Sequence, residues 1–161
     1  MEVEMKIRGL TMDPVTNMPI VVLKDVNGNT VLPIWVGIFE ANAIALEIEK
    51  VTTPRPMTHD LLKTVFMGLG AGVQKVVVNE LRDDTFYALI WVERAGEMIS
   101  IDSRPSDALA LALRLDCPIF VDDSVLKSSK LTSTINEKVQ SDELRKWLEG
   151  LNDEDLGRYK M

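Results

Sequence analysis

Residues 105–115, Pro-Ser-Asp-Ala-Leu-Ala-Leu-Ala-Leu-Arg-Leu, place the tightest constraint on how this chain folds. Pro105 suits a first helical turn, and Ala108 to Leu113 are apolar without a break. A helix that is apolar nearly all round belongs in the interior. The segments before it read as strands: Val73 to Leu81, Thr85 to Glu93 and Met98 to Ser103. Asp83-Asp84 and Ala95-Gly96 make the turns between them, which predicts an antiparallel meander. In the middle strand Phe86, Ala88, Ile90 and Val92 point one way and Tyr87, Leu89 and Trp91 the other. Apolar residues on both faces predict a strand covered on both sides.

The first third of the chain is also strand-like. Val3 to Met12 and Pro19 to Leu23 are followed by the turn cluster around Asn27-Gly28, the strongest short hairpin signal. Thr30 to Val36 is the return strand, and Pro33 within it predicts an edge or a bulge. Ile38 to Lys50 reads as a helix. A second starts near Thr58, with Leu61, Leu62, Val65, Phe66 and Leu69 as its apolar stripe. Pro118 to Val121 is a short strand, Asp122 to Ser128 a helical turn or two, and Ser141 to Leu151 a last short helix. Strands in blocks separated by helices predict an α+β fold, with a mixed, mainly antiparallel sheet and helices packed on it. The expected organisation is one domain over residues 1–130 and a polar tail over residues 131–161.

At 161 residues the chain can bury a core without covalent staples, and its 46% hydrophobic and 27% charged content is that of a globular protein. Cys117 is the one cysteine, which excludes an intrachain disulfide. In an apolar segment it reads as a small core residue. No apolar run is long enough to span a membrane, and the first residues do not resemble a signal peptide. The expected location is the cytoplasm. The net charge of −7 argues against binding nucleic acid through a broad basic face, while leaving room for an enzyme that meets phosphate through metal ions. Seven acids and five bases fall after residue 136, so the acidity is spread along the chain.

Two segments resemble each other. Arg55-Pro-Met-Thr58-His59-Asp60-Leu-Leu and Asp102-Ser-Arg104-Pro-Ser106-Asp107-Ala-Leu each hold Arg-Pro, then a hydroxyl residue, then Asp, then an apolar helix. Helix capping accounts for Thr58, Ser106 and both prolines. It does not call for an arginine before each proline. Asp102 is either an ion-pair partner of Arg104 or a functional carboxylate. His59 is the chain's only histidine, in a first turn where the helix dipole disfavours an imidazolium; a neutral ring there can accept a proton or bind a metal. Glu40, in the first turn of its helix, is either a dipole partner or a carboxylate open to metal or substrate. Phosphate-binding loops, dinucleotide fingerprints and zinc spacings are absent from the sequence. Any metal site would be oxygen-rich, which suits Mg²⁺ or Mn²⁺.

Three ordered stretches resemble the bifunctional nuclease domain family: Leu32-Pro-Ile-Trp-Val-Gly-Ile-Phe-Glu40-Ala, Arg55 to Leu62, and Ile101-Asp-Ser-Arg-Pro-Ser-Asp107-Ala-Leu-Ala-Leu-Ala. The likeness covers about Met1 to Ser129. It implies a compact fold peculiar to that family, a homo-oligomer with a dimer as its simplest form, and cleavage of DNA and RNA. The matching positions are Glu40, Arg55, Thr58, His59, Asp60, Asp102, Arg104, Ser106 and Asp107. For a divalent-metal-dependent nuclease, Glu40, Asp60, Asp102 and Asp107 supply metal ligands, and His59 is the general base or acid. Arg55 and Arg104 neutralise the phosphate, Thr58 and Ser106 help to hold the substrate, and Asp107 belongs to the catalytic set. The alternatives are a non-enzymatic, homo-oligomeric interaction or regulatory module whose Arg/Asp cluster is structural, and a small-molecule binder using the same arginines.

Overall fold

A computed structural model describes residues 1–136, with side chains over residues 1–129. The expected helix over Ser141 to Leu151 lies outside the described residues.

The elements follow in the order β1 (Glu2–Met12), β2 (Pro19–Asp25), β3 (Val31–Trp35), α1 (Ile38–Ile48), α2 (Thr58–Gly68), β4 (Gly72–Arg82), β5 (Thr85–Arg94), β6 (Glu97–Ser103), α3 (Pro105–Leu115), β7 (Ile119–Asp122) and α4 (Asp123–Asn136). The strands form one seven-stranded sheet ordered β3-β2-β1-β7-β4-β5-β6. Every pairing is antiparallel except that of β4 with β7, so the fold is α+β with a mixed, mainly antiparallel sheet. Pro33 lies in β3, at the sheet edge, where its missing N–H costs no ladder bond.

The turns explain the meander. Asp83 and Asp84 both have positive φ, 52° and 60°, and so do Ala95 and Gly96, 51° and 81°. Two consecutive left-handed residues make the tight turn whose twist matches that of paired strands. β4, β5 and β6 are therefore joined by two-residue loops. β1 has a bulge between Ile7 and Gly9 against β2, and β4 has two against β5.

As expected, α3 is interior. Ala108 to Ala112 are at most 1% exposed, and they join Val76, Val78, Ala88, Ile90 and Val92 from the sheet and Ala41 and Ile44 from α1 in one core. The small side chains let α1 and α2 close on α3; α3 lies over β4 and β5, α2 also meets β4, and α1 meets β1 and β2.

Two expectations need correction. β5 is not covered equally on both faces. Ala88, Ile90 and Val92 enter the core, but Tyr87, Leu89 and Trp91 stay half-buried. Long cationic side chains shield that second face. The Lys75 ammonium sits 6.0 Å from the centre of the Trp91 ring and 5.4 Å from that of Phe120, and the Arg82 guanidinium 4.8 Å from Tyr87. Secondly, α4 is longer than a turn or two. It runs on to Asn136, anchored by Val125 and Leu126 in the core. Its polar Ser, Thr and Lys residues gave no periodic signal by which to trace it.

Candidate functional site

The two Arg-Pro segments open α2 and α3, and packing α2 against α3 brings their first turns together. Neither hydroxyl residue caps its helix, which corrects the expectation for Thr58 and Ser106. The N-cap residues are Met57 and Arg104, both extended, and neither helix start has a side-chain cap. Thr58 is the first helical residue of α2 and is exposed. Ser106 is buried beside Pro105. At α2 the carboxylate of Asp60 accepts the Met57 N–H at 2.9 Å, satisfying one free donor from inside the helix.

The first turns meet through His59 and Asp107. His59 Nε2 lies 2.9 Å from Asp107 Oδ1. The His59 side chain is 11% exposed and that of Asp107 30%. An ionised carboxylate only accepts, so in the neutral ring the proton sits on Nε2 and the lone pair on Nδ1. The other oxygen of Asp107 takes the Arg104 Nε–H at 3.0 Å, and Arg104 Nη1 donates to Glu40 Oε1 at 2.7 Å. Glu40, Arg104, Asp107 and His59 thus form one chain of contacts across three helix starts. The Arg104 guanidinium is held by two carboxylates yet is 64% exposed. The bonds from Glu40 first, then Asp107, push its pKa up. Glu40 reaches it by folding back over Gly37, where a Cβ would collide with the carboxylate.

Asp60 is turned away from this chain. Its Oδ1 accepts Arg114 Nε–H at 2.8 Å, while Arg114 donates further to the Ala110 and Ala43 carbonyls at 2.9 Å each. The Met57 N–H above all, with the bond and charge of Arg114 and the charge of His59 added to it, holds the Asp60 carboxyl below its ordinary range against the opposing effect of burial. The Arg114 side chain is 4% exposed, and it clamps α1, α2 and α3. Sequence analysis missed it. A lone charge in an otherwise apolar, buried helix has to have a partner, and that was the available signal.

Beside the His59–Asp107 pair opens a cavity of about 820 Å³, between α2, the start of β5 and the end of β6. Thr58, Asp102, Ser103 and Arg104 edge it together with His59 and Asp107, and its walls include Leu61, Phe66, Phe86 and Tyr87. Asp102 therefore shares the cavity, but it is exposed at the end of β6. Arg55 is exposed in the loop before α2 and is not among the residues that line the cavity. The aromatic wall was not foreseen, because periodicity assigns Phe86 and Tyr87 to opposite faces of a strand without showing that the strand end is uncovered.

The arrangement does not fit a resident divalent cation. Glu40 and Asp107 are engaged by Arg104, and Asp60 by Arg114. Among the described residues no group of three or more His, Cys, Asp or Glu side chains converges to hold an ion. Cys117 offers no nucleophile: burial pushes its thiol up to about 11.

Fold and site together define a class: an α+β domain in which a histidine–carboxylate pair joins two helix starts at the edge of a cavity. Comparison with known proteins then places this one. The bifunctional nuclease domain profile matches residues 21–134, and the chain belongs to that family. It is 37% identical over 155 residues to an uncharacterized protein of Mycobacterium tuberculosis strain H37Rv, covering 92% of this chain and 93% of that one. It is 29% identical over 115 residues to bifunctional nuclease 1 of Oryza sativa subsp. japonica, and 30% over 107 residues to bifunctional nuclease 1 of Arabidopsis thaliana. It spans 35% and 33% of those two plant proteins. No helix among the described residues is long and apolar enough to cross a membrane.

Proposed function

We propose that this protein hydrolyses phosphodiester bonds of DNA or RNA, with His59 as the general base. The observation that carries this reading is the His59–Asp107 contact at the edge of an open cavity. Asp107 fixes the ring so that Nδ1 is the free basic nitrogen. A water molecule gives its proton to Nδ1 as its oxygen bonds to phosphorus; the ester P–O bond breaks as the leaving oxygen takes up a proton from solvent, and the His59 ring then returns its proton to solvent. Arg104, exposed beside this pair, keeps N–H donors for a non-bridging phosphate oxygen. Glu40 orients Arg104, and Thr58 and Asp102 line the approach. Arg55, exposed in the loop before α2, is a further candidate substrate contact, and Ser106, buried in the first turn of α3, is a candidate only for positioning Asp107 beside it in sequence. Membership of the bifunctional nuclease domain family and the likeness to plant proteins named bifunctional nucleases support a nucleic-acid substrate.

Mg²⁺ or Mn²⁺ dependence is a separate question for the chelator test, and no step is drawn through a metal because the carboxylates are engaged by arginines. A two-fold dimer is also proposed, on the exposure of Ile38 and Phe39 on α1 and of Met98 and Ile99 on the edge strand β6. Light scattering should give a particle of twice the 18.0 kDa chain; a particle of one chain contradicts it.

The test compares wild type with His59→Gln and Asp107→Asn on single-stranded DNA and RNA, with and without a chelator. Cleavage that survives purification and falls in both variants supports the reading. Equal trace cleavage in all three overturns it. A second reading, a non-enzymatic interaction or regulatory module, is favoured by one observation: Glu40, Asp60 and Asp107 each hold an arginine, as in a network that fixes a fold. It predicts that the same variants lose thermal stability while the wild type has no cleavage to lose.

A further inference from the structure

The cavity beside His59 differs in character from its polar edge. Leu61, Val65, Phe66, Phe86, Tyr87 and Ile101 form its wall, and Arg104 is the sole arginine or lysine among its lining residues. Two carboxylates, Asp102 and Asp107, also line it, and the whole chain carries a net charge of −7. A strand of nucleic acid therefore gains little here from phosphate contacts, the usual source of affinity. The remaining source is burial and stacking of a base against apolar and aromatic walls. The volume, about 820 Å³, lies within the ~300–1,000 Å³ of pockets that enclose small organic groups. A base enters such a space only when unpaired, since a duplex keeps its bases stacked inside.

We propose that the cavity holds one unpaired nucleobase of the strand being cut, seated between α2 and the start of β5, while the adjoining phosphate lies at His59 and Arg104. This rests on the nuclease reading and narrows it: the substrate is single-stranded or locally unpaired nucleic acid, recognised by its bases rather than its charge. Leu61 is 56% exposed and Val65 44%, so the apolar wall is open to an incoming group.

The test uses the full chain and three fluorescent probes with cleavage-resistant phosphorothioate links: oligothymidylate, an abasic strand of equal length, and oligothymidylate paired with its complement. The expected result is binding of the single strand about tenfold or more tighter than of the abasic strand, with the duplex as weak as the abasic one. Phe86→Ala should lower oligothymidylate affinity by about tenfold. Because Phe86 also packs on the core, Leu61→Trp serves as the second variant. It fills the cavity from an exposed helix position, and should bring oligothymidylate down to the abasic level without changing the abasic value. Equal affinity for the single and abasic strands, with cleavage of natural strands intact, overturns the base pocket alone. No binding of any probe together with no cleavage overturns both this proposal and the nuclease reading.

Discussion

His59 and Asp107 depend on each other for what they can do. Without the carboxylate the ring has no fixed tautomer, and without the ring Asp107 only serves Arg104. His59→Gln and Asp107→Asn should therefore each lower cleavage by about 10²–10⁴-fold with the circular dichroism spectrum unchanged, as expected for loss of general base catalysis. Arg114 is a different case, since it touches no part of the cavity. Arg114→Met leaves Asp60, the buried Ala110 carbonyl and the part-buried Ala43 carbonyl short of a donor, and should cost about 3 kcal/mol of stability, read from the urea midpoint. Asp13 gives the acid response its sign. It is 4% exposed, and burial alone would raise its pKa. The Trp35 indole N–H at 2.9 Å, the Val15 N–H and the Thr16 hydroxyl outweigh that and hold it below the ordinary carboxylate range. Its folded value is thus lower than its unfolded value of about 3.9. The stability it contributes is complete above the unfolded value and is lost as pH falls through the folded one. Urea midpoints taken from pH 6 down to about pH 2 should drop more steeply in the wild type than in Asp13→Asn.

At the scale of elements, the start of α1 sets the reach of Glu40. Gly37 has φ −69° and ψ 159°, a conformation open to any residue, so glycine is not required there for the backbone. What it leaves is room, because a Cβ would displace the outer end of the Glu40 carboxylate. Gly37→Ala should fold with a melting temperature within a few degrees of wild type, ~1 kcal/mol or less, while releasing Glu40 from Arg104 and reducing cleavage. An unaltered rate would mean that Glu40 does not orient Arg104. The elements themselves were largely legible: Arg-Pro announced the openings of α2 and α3, paired turn residues the meander, and unbroken apolarity the burial of α3. The meeting of His59 with Asp107 was legible only as a likeness between two motifs. What could not be read was which element lies against which. Thr58 and Ser106 looked like caps because local pattern sees neighbours in sequence, whereas the donors at α2 found Asp60 from within the helix. Arg114 acts through Ala43, 71 residues away, and no periodicity reports a contact at that separation.

For the whole molecule the decisive strand is the shortest. β7 pairs with β1 on one side and β4 on the other, and so joins two antiparallel triplets into one sheet. Val121 sits in that seam against Val3 and Val78 and is fully buried. Val121→Asp should cost about 4 kcal/mol or more, since it buries an unpaired charge. Both triplets should then melt in a single transition, seen as equal loss of amide protection in β2 and β5; protection that persists in one triplet would show that it is stable alone. Order of synthesis adds a consequence. β7 leaves the ribosome after every other strand among the described residues, so a nascent chain that has just completed α3 holds two partly built sheets whose inner margins, at β1 and β4, have nothing to pair with. Four further residues, Ile119 to Asp122, close both margins at once. Until they emerge, this protein is at its most exposed to the wrong neighbour, and a chaperone that shields bare strand margins has its time of action set by the position of one short segment in the message.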